Sequence, residues 1–222
     1  MTSGTRHVPA CAAVLAVALL AGCQGSTDDG AGADGVPVSV ERLAEMADEV
    51  GPYGSDTCPL PYDFAKAAST AEITEEAGAG PAPGDSQPAV VTAENGYKAK
   101  KDEPFAFNPG ALVSCWFHVG GQSVEAHLIA GEKPQPEALL SPTLVAASDQ
   151  DPDELGPYFR RTGKAEPGSP VPGTTGDYVT VRVEPEGEGH AALLLTLGRT
   201  KGPHFGEERL VALSRALYEQ IS

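Results

Sequence analysis

The sequence predicts an α+β domain, an antiparallel sheet covered by helices. Three observations lead there. Segments 112–119 and 123–130 alternate apolar with polar residues and are joined through Gly120-Gly121, as a hairpin requires. Segments 177–184 and 190–199 form a second such pair around Gly187-Glu188-Gly189. Helical periodicity precedes the first pair and follows the second. The order helix, strands, helix, strands, helix suits strands that pair with neighbours through short links.

Taken in chain order, Val40, Leu43, Ala47 and Val50 fall at helical spacing, and Gly51-Pro52 ends that helix. A short helix is expected over 62–71. Residues 77–88 are rich in Gly, Ala and Pro and read as a surface loop. A short strand is expected at 89–92. With Gly120-Gly121 as the turn, Val119 faces Gln122, Phe117 faces Val124 and Cys115 faces Ala126. One face of the hairpin then carries Cys115, Phe117, Val119, Val124, Ala126 and Leu128 as core. The other carries Ser114, Trp116, His118, Ser123, Glu125 and His127 and reads as half-exposed. Residues 143–147 read as a strand. Asp151-Pro152-Asp153-Glu154 reads as a helix start. A Gly/Pro-rich loop is expected over 163–176. The chain closes in a helix over 206–221 with Leu210, Leu213, Leu217 and Ile221 on one stripe.

Before the domain stands an apolar run, residues 10–20, behind Arg6 and His7. Eleven residues fall short of the roughly 20 that span a bilayer, so the run reads as a signal peptide over 1–22 rather than a transmembrane anchor. It closes on Leu20-Ala21-Gly22-Cys23, which resembles the bacterial lipobox. That resemblance implies cleavage after Gly22, a diacylglyceryl group on Cys23, and a lipid-anchored protein on the extracytoplasmic side of the cell membrane. Two acyl chains anchor stably where one does not. A plain secretory signal is the alternative. Residues 23–37 are small and mildly acidic and read as a flexible tether reaching about 20 Å. Residues 38–222 are then a single domain.

The formal net charge is -16. Such a surface is repelled by nucleic acid and anionic lipid, and no basic stripe offsets it. Partners reduce to the membrane through Cys23 and to an unknown protein or small molecule. Cys58 and Cys115 are the cysteines left beyond Cys23. In an exported chain they are expected to form a disulfide; two free thiols, or one reactive thiol, are the alternative.

Candidate chemistry is thin. His118, Glu125 and His127 share a strand face, but the register separates the histidines by roughly 13 Å, too far for one ion. No metal or other cofactor is expected. Asp149, Asp151 and Asp153 open like an EF-hand loop, yet Glu154 and Arg160 stand where glycine and glutamate are required. GxSxG, SxxK, HExxH, P-loop and dinucleotide-binding glycine patterns are absent. No catalytic residue is assigned. Trp116 packs against the disulfide or a covering helix, or else lines a ligand groove between sheet and helix with His118 and Glu125.

Asp56-Thr57-Cys58-Pro59-Leu60, Ser114-Cys115-Trp116 and the leucine-rich terminal helix together resemble a group of actinobacterial lipoproteins of unknown function. There is a more distant resemblance to the extracellular sensor domains of mycobacterial Ser/Thr kinases and to the PsbP-like fold. Thr57 stands where the lipoprotein pattern has proline, and Trp116 follows Cys115 directly. The resemblance spans 38–222 and implies a Cys58–Cys115 disulfide in a compact α+β sandwich. It transfers no activity. The expected function is a non-catalytic, lipid-anchored binding or sensor module. A carrier of a hydrophobic molecule would instead show an apolar cavity of several hundred Å³. A small cell-wall enzyme would show a cleft where His190 or His204 meets carboxylates, with the acidic loop 149–154 another place to look.

Overall fold

The structure is a computed structural model and describes residues 37–84, 90–198 and 205–222. Cys23, the rest of residues 1–36, and His204 lie outside the described residues. Seven strands form one antiparallel sheet, β1 (Ala77–Ala79), β2 (Val91–Asn95), β3 (Gly110–Val119), β4 (Gln122–Gly131), β5 (Pro170–Pro172), β6 (Tyr178–Val183) and β7 (His190–Leu197). The order across the sheet is β1-β3-β4-β7-β6-β5. β2 also pairs with β3, so one edge of β3 is completed by two short strands in tandem. Between them the Gly80 amide donates to the Trp116 carbonyl at 2.8 Å, and the Trp116 amide to the Val90 carbonyl at 2.8 Å. The ladder is thereby unbroken across the gap.

Helices cover both faces. α1 (Val40–Val50), α2 (Phe64–Thr70) and α5 (Glu207–Tyr218) share one face: α1 lies over β2 and β3, α5 over β5, β6 and β7, and α2 against β1 and α5. Their buried stripes meet the inward side chains of β3, β4, β6 and β7 in the larger core. α3 (Ser141–Ser148) and α4 (Pro152–Thr162) cover β6 and β7 from the other face. There Leu144, Leu155, Tyr158, Tyr178, Ile129 and Leu194 form a second core.

The hairpin register is as the glycine pair implies: Cys115 opposes Ala126, Phe117 opposes Val124 and Val119 opposes Gln122. Gly120 takes φ 55°, a conformation that a two-residue turn demands and glycine adopts without strain. The Cys58–Cys115 disulfide is formed, with Cα atoms 5.7 Å apart. It joins the segment entering α2 to the middle of β3. Beside it Phe64 stacks on Phe117 with centroids 4.2 Å apart.

Four expectations need correction. Residues 143–147 are helical, in α3; Thr143 and Val145 favour strands locally, but Ser141-Pro142 sets a helical start and Leu144 drops into the second core. Within the expected loop 77–88, β1 forms because β3 needs a partner along its edge. Within the expected loop 163–176, β5 forms, and its two prolines are tolerated because it is the outermost strand. The outer face of the hairpin is largely buried: Ser114, Ser123 and His127 are 4 %, 0 % and 2 % exposed. Their polar groups find local partners. His127 Nδ1 lies 2.8 Å from Ser114 Oγ, and Ser123 Oγ accepts from the Ala82 amide at 2.8 Å.

The start of α4 is as expected. The Asp151 side chain caps the Asp153 amide at 3.0 Å, ahead of Pro152. Asp151→Ala is expected to cost about 1 kcal/mol, seen as a urea midpoint lower by about 0.5 M at a slope near 2 kcal/mol/M. An unchanged midpoint would mean that packing of Leu155 and Tyr158 alone holds α4.

Candidate functional site

Register places one row of side chains across four strands on the second face. Trp116 of β3 opposes Glu125 of β4, Glu125 opposes Thr196 of β7, and Thr196 opposes Tyr178 of β6. Tyr178 and Thr196 are buried under the second helical layer. α3 packs on β6 and β7, and toward β3 the cover gives out. Trp116 and Glu125 are therefore only part-buried, at the margin of that layer. Thr143, Ala146 and Ala147 are the α3 residues nearest them, and all three are too short to fill the space. A groove of about 170 Å³ results, lined by Trp116, Glu125, Thr143, Ala146, Ala147, Thr196, Leu197 and Gly198.

Glu125 is the charged group of this groove. Its side chain is 15 % exposed, and its Oε2 lies 3.4 Å from His127 Nε2. Among the described residues no Lys or Arg comes within ion-pair distance of it. His127 is sealed beneath. Its Nδ1 is engaged with Ser114, and its Nε2 has no hydrogen bond of proper geometry. Ser114, His127 and Glu125 thus form a chain of contacts, but Ser114 is buried and does not line the groove. A serine that no substrate can reach is no nucleophile.

Of the three residues singled out from sequence, Trp116 and Glu125 share this groove and His118 does not. His118 Nδ1 sits 3.1 Å from the Gly80 carbonyl, at the β1 edge. Trp116 lies on the face opposite the disulfide, because alternation sends its side chain away from that of Cys115. The small α3 residues were missed because 143–147 reads as a strand. Ser141-Pro142 was the signal for a helix there, as Asp151-Pro152 was for α4.

A larger cleft of about 360 Å³ opens at the Gly189 end of the sheet. Arg182, His190, Glu137 and Glu184 line it among prolines and glycines. Two of its charged groups have structural duties. Arg182 donates to the Ala165 carbonyl at 2.6 Å, and Glu137, 2 % exposed, accepts from Thr162 Oγ1 at 2.6 Å. No Ser, Thr, Cys or Lys lines it. An apolar recess beneath α1, lined by Leu43, Met46, Leu60 and Leu128 among others, holds about 10 Å³, room for one water at most. In the acidic loop, Asp151 caps α4, Asp149 closes α3 at φ 54°, and Gln150 meets the Tyr178 hydroxyl. Among the described residues, no three His, Cys, Asp or Glu side chains are grouped to hold a metal ion. No described helix is long and apolar enough to cross a membrane.

No family model, curated protein or solved structure matches the chain.

Proposed function

We propose that this chain is a lipid-anchored binding module at the outer face of the plasma membrane, that it acts without catalysis, and that the Trp116–Glu125 groove is its ligand seat. The groove carries the binding half of this reading. It is apolar on most sides, holds one carboxylate, and is bounded by a sheet and a helix that are both fixed by packed cores. That is the make-up of a preformed recognition site. The reading assigns no reaction to Glu125 or to the two threonines, Thr143 and Thr196, that line the groove with it. The Cys58–Cys115 bond supports a location outside the reducing cytoplasm, and Leu20-Ala21-Gly22-Cys23 supports the anchor.

A carrier of a hydrophobic molecule would need several hundred Å³ of apolar space, against which the recess beneath α1 is negligible. A cell-wall enzyme would draw on His190 with Glu137 and Glu184 in the larger cleft, where Glu137 is buried and already accepts from Thr162.

Intact mass tests the anchor. Protein taken from membranes of an actinobacterial host, unreduced, is expected to begin at a diacylated Cys23 and to be two hydrogens light for the disulfide. Cys23→Ala is expected to lose the acyl mass and the membrane association. A wild-type chain that begins elsewhere, or at an unacylated Cys23, would overturn the anchor.

A further inference from the structure

We infer that the Trp116–Glu125 groove takes an organic ammonium group. The inference rests on the groove being a ligand seat and names the chemistry of what enters it. Three features select a cation. Glu125 is mostly withdrawn from water, with no Lys or Arg beside it among the described residues, and a carboxylate so placed gains from an arriving positive charge. Directly across the strand pair stands Trp116, which lines the same groove, and an indole is the aromatic side chain that cations prefer. The formal charge of -16 draws cations toward the surface and repels anions.

Two further features make that cation organic. A metal ion needs several hard donors, and this groove has one carboxylate and two threonines among an indole, two alanines, a leucine and a glycine. Those walls reward alkyl groups around the charge instead. At about 170 Å³ the groove is smaller than the roughly 300–1,000 Å³ that encloses a drug-sized ligand, so it seats a small amine or the end group of a larger molecule. Beneath the groove His127, held by Ser114, stands 3.4 Å from one carboxylate oxygen of Glu125.

Trp116 is the chain's single tryptophan beside six tyrosines, so fluorescence excited beyond the tyrosine absorption reads this groove alone. The full chain would be titrated with choline chloride and, as the neutral isostere, with 3,3-dimethylbutan-1-ol, against sodium chloride of equal ionic strength. Choline is expected to give a saturable change at least tenfold tighter than the alcohol. Glu125→Gln is expected to abolish that preference with its circular dichroism unchanged. Ala147→Leu, which fills the groove from α3 and leaves Glu125 intact, is expected to abolish binding of both probes. If alcohol and choline bind alike and Glu125→Gln changes neither, the ammonium assignment fails and the groove remains a ligand seat. If neither probe, nor phosphatidylcholine vesicles, changes the fluorescence, both readings fail. Phosphatidylcholine vesicles, compared at equal choline concentration, identify the source. A response to vesicles that free choline does not give retains the ammonium and places it on a lipid headgroup.

Discussion

Replacing Cys58 and Cys115 together by alanine is expected to remove about 4 kcal/mol of stability, the chain-entropy value for a loop closed over a separation of 57 residues. At a slope near 2 kcal/mol/M the urea midpoint would fall by about 2 M. What the loop contains makes the loss local as well as global. α2, β1 and β2 all lie between the two cysteines, so the covalent bond encloses both strands that complete the edge of β3. β1 has three residues and β2 five, and neither could hold its register through hydrogen bonds alone. The double variant is therefore expected to exchange its amide hydrogens fastest over 58–95 while β4, β6 and β7 stay protected. A midpoint within about 0.3 M of wild type would mean that the Phe64–Phe117 stack and α1 already fix this edge.

How much was legible in the sequence follows from where each signal is local. The β3–β4 hairpin was readable because Gly120-Gly121 fixes the turn and a two-residue period fixes everything behind it. α1, α4 and α5 were readable because caps and stripes lie within one segment. β1 and β5 were not, since Ala77-Gly78-Ala79 and Pro170-Val171-Pro172 have no strand preference of their own. They are strands because an edge of β3 and an edge of β6 would otherwise lack partners. The second helical layer was hidden for a related reason. Ser114, Ser123 and His127 look like a solvated face, and only the structure supplies the local bonds that make their burial tolerable. The groove was half legible. Trp116 and Glu125 follow from register, but Ala146 and Ala147, whose small size leaves the space open, are visible only once α3 is known to be a helix.

Alkaline pH is expected to unfold the protein through its buried tyrosines. Tyr62 is the clearest: the residue is half-buried, but its hydroxyl is sealed and has no hydrogen-bond partner among the described residues, and burial pushes its pKa far above the ordinary value of 10.0. Tyr158 is 1 % exposed; its hydroxyl donates within reach of Thr180 Oγ1 at 2.7 Å and the Val171 carbonyl at 3.2 Å, and burial raises its pKa as well. Tyr178, edge-on to Tyr158 with centroids 4.9 Å apart, is shifted upward by the same cause. Each phenol therefore keeps its proton to higher pH in the folded chain than in the unfolded one. Their contribution is complete below pH 10 and is lost as pH rises toward the folded values. Above pH 10 Tyr62 and Tyr158 each lower stability by about 1.4 kcal/mol per pH unit, so together they remove about 5 kcal/mol by pH 12. Urea midpoints between pH 7 and 12, followed with phenolate absorbance, would show the decline beginning near pH 10 and ionisation coinciding with unfolding. Tyr62→Phe separates this from general alkaline damage. It removes a buried hydroxyl that bonds to nothing, so stability at pH 7 should hold or rise, while the alkaline slope falls by about 1.4 kcal/mol per unit. A Tyr62→Phe slope equal to that of wild type would show that Tyr62 reaches solvent and that the segment before α2 is looser than its packing against Phe117 implies.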